Sequence, residues 1–168
     1  VRHEEVDLGA VVAEVLKLLR STLPATITLS TGFGENTPPV LADAGQVHEL
    51  VVNLTTNAAH AIGPRPGTID YRLEALEVRP EQSQSIAGLG QGHYVCLTVT
   101  DGGCGMDAAT LARIFDVFYT TKPLGEGTGL GLSMVHGIMK SHGGAVTVES
   151  APGEGTSFRL YFPAAGRA

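Results

Sequence analysis

The chain is predicted to fold as an α+β two-layer sandwich, a mixed and mostly antiparallel sheet of about five to six strands with three main helices on one face. Apolar residues recur at spacings of three and four in three separated stretches, and they alternate at a period of two in several others. The two kinds of stretch are interleaved along the chain. Each helical stretch has one apolar side to bury, and alternating strands offer the matching face.

The first helix is expected from about Gly9 to Ser21, where Val11, Val12, Val15, Leu16, Leu18 and Leu19 keep helical spacing and Pro24 follows. "ATITLSTGF" and "PPVLAD" read as strands. Asp43 then offers an N-cap with Gln46 three residues on, a capping-box pattern, ahead of Val47, Leu50, Val51, Leu54, Ala58 and Ile62. "GPRPG" closes this second helix. "TIDYRLEALEV" alternates as a strand, "RPEQSQSIAGLGQG" has loop composition, and "HYVCLTVTD" puts Val95, Leu97 and Val99 on one face. From Gly102 to Gly127 the chain reads as irregular and glycine-rich. "LGLSMVHGIMKSHGG" is the third helix, ended by Gly143 and Gly144, and "AVTVES", "APGEG" and "TSFRLYF" form a strand, a turn and a strand.

The length of 168 residues fits one domain spanning 1–168. With 43% hydrophobic and 17% charged residues the chain reads as globular, and its apolar runs fall short of the ~20 residues of a membrane span. A cytoplasmic location follows as the expectation, with no signal peptide. The net charge of −6, with its eight arginines and three lysines scattered singly, offers no stripe for a nucleic-acid backbone. Cys96 and Cys104 suit a reducing compartment. The chain opens at Val1 and reads as a piece of something longer.

"GEGTGLGL", Gly125 to Leu132, presents bare backbone amides to an anion, yet its glycines do not fall on G-x-G-x-x-G and the chain has no Gly-Lys dipeptide. Rossmann and P-loop readings are thereby excluded. On the second helix, Gln46, Glu49, Asn53, Asn57 and His60 stack on a stripe beside the apolar face. Asparagine is a poor helix-interior residue, so the pair either ties down a neighbouring loop or offers carbonyl oxygens to a hard cation such as Mg²⁺. Asp101 ends a strand and is followed by glycines; it either makes a tight turn or accepts a hydrogen bond from an exocyclic base amine. Lys122 stands eight residues before an amide-rich helix start that favours anions, and can swing onto a phosphate. His3, His48, His93, His136 and His142 lack partners at ligand spacing and read as ordinary histidines. No Ser-His-Asp order, H-E-x-x-H or C-x-x-C occurs, so hydrolase and zinc readings have no footing.

The succession of an N-x-x-x-N-A helix, a D-x-G-x-G strand end, an F-x-x-F loop, G-x-G-L-G-L and a G-x-G-T hairpin resembles the ATP-binding catalytic domain of sensor histidine kinases. That Bergerat-fold family includes gyrase, heat-shock chaperones and mismatch-repair ATPases, and the likeness runs from about Val6 to Pro163. It implies ATP and Mg²⁺ as cofactors, with Asn57 as metal ligand and Asn53 one turn before it. It further implies that Asp101 holds the adenine amine and that Gly103 and Gly105 line the base pocket. Phe115 and Phe118 would anchor a lid, Lys122 would reach the phosphates, and Gly127, Thr128, Gly129, Leu130, Gly131 and Leu132 would form the phosphate-facing helix start. Thr156 would close the adenine end.

The implied activity is phosphoryl transfer to a histidine on a separate dimerisation domain, with a response-regulator receiver domain downstream and the fragment itself monomeric. Two departures from the pattern stand out. His60 replaces a lysine common three residues after the metal asparagine, and the phosphoacceptor histidine is missing, since His3 stands beside a strand-like "EVDL". A hydrolytic ATPase of the same fold carries a glutamate base where this chain has Asn53, so slow hydrolysis is expected. A nucleotide-binding regulatory module is the remaining alternative.

Overall fold

Two long strands, β4 (Gly67–Val78) and β5 (Gly92–Asp101), build the centre of the sheet, with apolar residues alternating from Ile69 to Leu73 on β4 and at Val95, Leu97 and Val99 on β5. Ile69, Tyr71 and Leu73 on β4 and Val95, Leu97 and Val99 on β5 point to one face and are buried there. The computed structural model describes residues 3–34, 37–114 and 131–165. β7 (Thr156–Pro163) pairs antiparallel with β5 and adds Phe158, Leu160 and Phe162 to the same face, and β6 (Ala145–Ser150) pairs antiparallel with β7. β2 (Ile27–Phe33) lies parallel to β4 at the other edge, giving the order β2-β4-β5-β7-β6. The expected mixed, mostly antiparallel sheet is observed. A separate ribbon pairs β1 (Glu4–Val6) with β3 (Val40–Ala42), and Val40 bridges to Ala164 just past β7.

The helices α1 (Leu8–Leu19), α2 (Ala44–Ile62) and α4 (Gly131–Ser141) share one core with the inner sheet face. α1 begins at Leu8 because Asp7, whose side chain accepts from the Ala10 N–H, caps it two residues before the expected Gly9. A four-residue helix, α3 (Ala108–Leu111), interrupts the stretch read as irregular. Asp107 caps it by accepting from the Thr110 N–H at 2.8 Å, a pattern the glycines around it obscured. On the outer sheet face, Tyr94, Cys96 and Tyr161 pack with Val78 and Leu89 under the β4–β5 connection, and burial pushes the Cys96 thiol up.

The capping box expected at Asp43 forms only by half. The Asp43 side chain accepts from the Gln46 N–H at 3.1 Å, but the Gln46 Oε1 is buried with no partner. The Asp43 N–H donates instead to Nε2 of His142, at 3.1 Å and 99 positions away. His142 is buried, and its Nδ1 lies 2.8 Å from the Ile138 carbonyl, which can only accept, so Nδ1 carries the proton and Nε2 is the acceptor. His3, at the entrance to β1, stacks on this ring at 4.5 Å between centroids. His142 is thus a core histidine held by backbone groups, and its tie to Asp43 lies beyond the reach of local spacing.

Candidate functional site

The tie between His142 and Asp43 fixes how α4 lies against α2. The end of α4 sits at the start of α2, and α4 is 11 residues long. At 1.5 Å per residue its N-terminus lies about 16 Å from that tie. α4 opens at Gly131 and the half-buried Leu132, and the start of a helix favours an anion.

Asn53 and Asn57 are half-buried one turn apart on α2, and His60 is exposed one turn further on. The Asn53 Nδ2 is buried with no hydrogen-bond partner in the structure. A buried polar atom in that state carries a desolvation cost, which a ligand or water bonding to it would offset. Among the described residues there is no cluster of three or more histidine, cysteine, aspartate or glutamate side chains able to hold a metal. A neutral asparagine carbonyl fits a different mode, in which Mg²⁺ takes one protein oxygen beside waters and substrate phosphates.

The other half of the candidate site is built where β5 and β7 finish. Asp101 and Thr156 face each other in the ladder, each 6% exposed, so the carboxylate is among the few buried charges. Its Oδ1 accepts from the Gly103 N–H at 2.8 Å, and the Thr156 N–H donates to the carboxylate as well. Burial still raises the Asp101 pKa above the usual carboxylate range, because desolvation outweighs those two bonds.

The chain on either side of Asp101 and Thr156 is stapled together. The Cys104 N–H donates to the Ala61 carbonyl at 3.2 Å, tying the loop to the end of α2, and the Gly153 N–H donates to the Cys104 carbonyl at 2.7 Å. Gly105 and Gly155 sit at φ of 72° and 78°. A Cβ at Gly105 would run into the Ala151 carbonyl and one at Gly155 into the Asp101 carbonyl, so both positions require glycine. Ser150, not singled out in the sequence, joins the two loops through its hydroxyl: the Met106 N–H donates to it at 2.8 Å and it donates to the Gly155 carbonyl at 2.9 Å. A cavity of about 510 Å³ lined by Ile62, Arg65, Pro66, Gly102, Gly103, Cys104 and Gly153 borders the base loop but takes in neither Asp101 nor the asparagines.

Of the residues singled out in the sequence, Asp101, Gly103, Gly105 and Thr156 are brought together by the strand-end network, which meets Ala61 at the end of α2; Asn53, Asn57 and His60 follow one another along α2 towards that end, and Gly131 and Leu132 open α4. Phe115, Phe118, Lys122, Gly127, Thr128, Gly129 and Leu130 lie outside the described residues. No described helix is long and apolar enough to cross a membrane.

Comparison with known proteins places this arrangement. The chain is 39% identical to the sensor kinase CckA of Brucella abortus (strain 2308) over 162 residues, covering 96% of this chain and 17% of that protein. It is 34% identical to the sensor histidine kinase ZraS of Escherichia coli (strain K12) over 161 residues, covering 95% of this chain and 31% of that protein. The chain therefore spans a minor part of the curated relatives it matches. Among solved structures, the catalytic domain of histidine kinase ThkA, nucleotide-free, superposes with a TM-score of 0.78 at 25% identity, covering 98% of this chain and 97% of that one. Full-length ShkA in complex with AMPPNP gives a TM-score of 0.77 at 26% identity, covering 99% of this chain and 32% of that one. With residues 42–166 matching the family model of histidine kinase-, DNA gyrase B- and HSP90-like ATPases, the chain belongs to that family and carries its ATP-binding fold.

Proposed function

We propose that this chain is the catalytic domain of a sensor histidine kinase, binding Mg-ATP and passing the γ-phosphoryl group to a histidine on a separate dimerisation domain. The observation that carries the reading is the buried acceptor carboxylate of Asp101, set in a strand-end network that the Cys104 N–H ties to the end of α2, the helix carrying the asparagine pair. Asp101 accepts from the adenine amine while Gly103 and Gly105 hold the loop against the base. Asn57 supplies a metal oxygen, and the α4 amides with Lys122 and His60 bind phosphate oxygens. The Asn57 carbonyl would hold Mg²⁺, which when bound would offset the charge of the phosphates. The chain's own contribution is positioning: an imidazole nitrogen from the partner domain forms the new P–N bond as the bond from the γ-phosphorus to the bridging oxygen breaks. ADP leaves with that oxygen, and the imidazole proton goes to solvent.

Asn53 distinguishes transfer from hydrolysis. Its amide cannot take a proton at neutral pH, so no base orients an attacking water, whereas a neutral imidazole needs none. The relatives' names place them in sensory signalling, which supports a receiver domain as the eventual phosphate acceptor. The test mixes this chain with a separately produced phosphoacceptor domain and labelled ATP and follows label on histidine. Label transfer with very slow phosphate release supports the reading. Phosphate release by the chain alone near ~10 s⁻¹ would replace it with a hydrolytic ATPase.

A further inference from the structure

We propose that Ser150 fixes the hydrogen-bonding sense of the Thr156 hydroxyl, so that the base pocket ends in two acceptors and selects purines carrying an amine at the six-position. The inference rests on the nucleotide reading above and names a determinant of its specificity. A serine hydroxyl has one hydrogen to donate and two lone pairs. The Gly155 carbonyl, 2.9 Å from Ser150 Oγ, can only accept, so the Ser150 hydrogen is committed to it. The Met106 N–H, 2.8 Å away, can only donate, so one Ser150 lone pair is taken. The Thr156 Oγ1 is 2.8 Å from the same atom. With the Ser150 hydrogen spent, the Thr156 hydroxyl must be the donor in that contact.

The consequence is chemical. Thr156, having given its hydrogen to Ser150, meets any ligand as an acceptor only. Its ladder partner Asp101 is an acceptor in its ionised form too, and both are buried at the same strand ends. An exocyclic amine has two hydrogens to offer such a pair. A carbonyl at the same position faces lone pairs, and the N1–H that accompanies it can serve at most one of the two acceptors, so a polar group is left unmatched, the arrangement by which a polar site rejects an analogue. A threonine free of Ser150 could rotate and donate to that carbonyl. Ser150 therefore acts as a positioning residue at one remove from the base, through the direction of a single hydrogen.

The test compares ADP with inosine diphosphate, which differ at the six-position, by calorimetry on the 168-residue chain with Mg²⁺. Ser150→Ala weakens both nucleotides by loosening the loops, but the ratio of their dissociation constants isolates the base. That ratio is expected to fall about fivefold in Ser150→Ala, to hold in Ser150→Thr, and to fall similarly in Thr156→Val. In the double variant Ser150→Ala/Thr156→Val it should match Thr156→Val alone, because Ser150 acts only through that hydroxyl. A ratio unchanged in Ser150→Ala, or two falls that simply add, overturns the proposal. If Ser150→Ala does not fold, Thr156→Val decides, and an unchanged ratio there overturns it. Failure of the unmodified chain to bind either nucleotide overturns the nucleotide reading, and this inference with it.

Discussion

The two halves of the candidate site differ in how complete the protein alone makes them. At the base end, Asp101, the glycine loops, Ser150 and Thr156 are joined to one another by hydrogen bonds of 2.7–2.9 Å. At the phosphate end, the Asn53 Nδ2 is buried with no partner among the described residues. The base end is thus preorganised, as a group that must discriminate between similar bases requires. The phosphate end is built for groups carrying their own charge and water. On the proposed function, specificity belongs to the rigid half and chemistry to the half that a ligand completes.

The largest expected effect tests the rigidity of the base end. Gly105→Ala forces a positive φ on an L side chain and drives its Cβ into the Ala151 carbonyl, so stability should fall by about 3 kcal/mol or more in denaturant unfolding. Gly102→Ala, where no atom lies within 4 Å of the added Cβ, should change stability by less than ~0.5 kcal/mol. Equal tolerance at both positions would break the contrast. Next comes the phosphate end: Asn57→Ala should lower phosphoryl transfer to an acceptor histidine by roughly 100-fold while leaving the unfolding midpoint of the ligand-free chain nearly unchanged, since the side chain serves the ligand. A matching loss of stability would show that Asn57 supports the fold.

Asp101→Asn sharpens the comparison. A folded-state pKa above the unfolded value means that the carboxyl's favourable contribution is present below ~3.9 and is lost as pH rises through the raised folded value. Relative to the asparagine variant, the ligand-free parent chain should therefore lose stability between pH 4 and pH 7. The variant should bind ADP about tenfold more weakly, as expected for loss of a charged hydrogen bond. A stability difference independent of pH would show that Asp101 is not ionising in a buried setting. The smallest effect lies beneath both halves, where Thr55 Oγ1 and the Tyr71 hydroxyl, 2.6 Å apart, join α2 to β4 and burial pushes the phenol up to about 12. Tyr71→Phe should cost about 1 kcal/mol in urea unfolding and leave the ADP affinity as it was.

Much of this was legible in the chain because it is local. Period-two and period-3.6 apolar patterns depend only on neighbours, so the inner sheet face and the apolar side of α2 could be read from Ile69, Tyr71, Leu73, Val47, Leu50 and Leu54. The Asn53 and Asn57 stripe, the Asp43 N-cap and the glycines after Asp101 are equally local. α3 escaped because a four-residue helix has no periodicity to detect, and its only signal was the capping aspartate at 107.

The sequence by itself determined which side chains line up as candidates: helical spacing aligns the asparagines, and a strand ending in Asp-Gly leaves a carboxylate with clear surroundings. Only the tertiary structure decided how those groups are held. The parallel pairing of β2 with β4 requires a crossover that no residue pattern announces. The Asp43 N–H finds its acceptor in His142, 99 positions away, where sequence spacing pointed to Gln46. Ser150 gains its role from Met106, which arrives from another strand end 44 positions earlier. A hydrogen bond is specified by direction within a few ångströms, and between elements distant in sequence that direction exists only once the sheet and helices have packed.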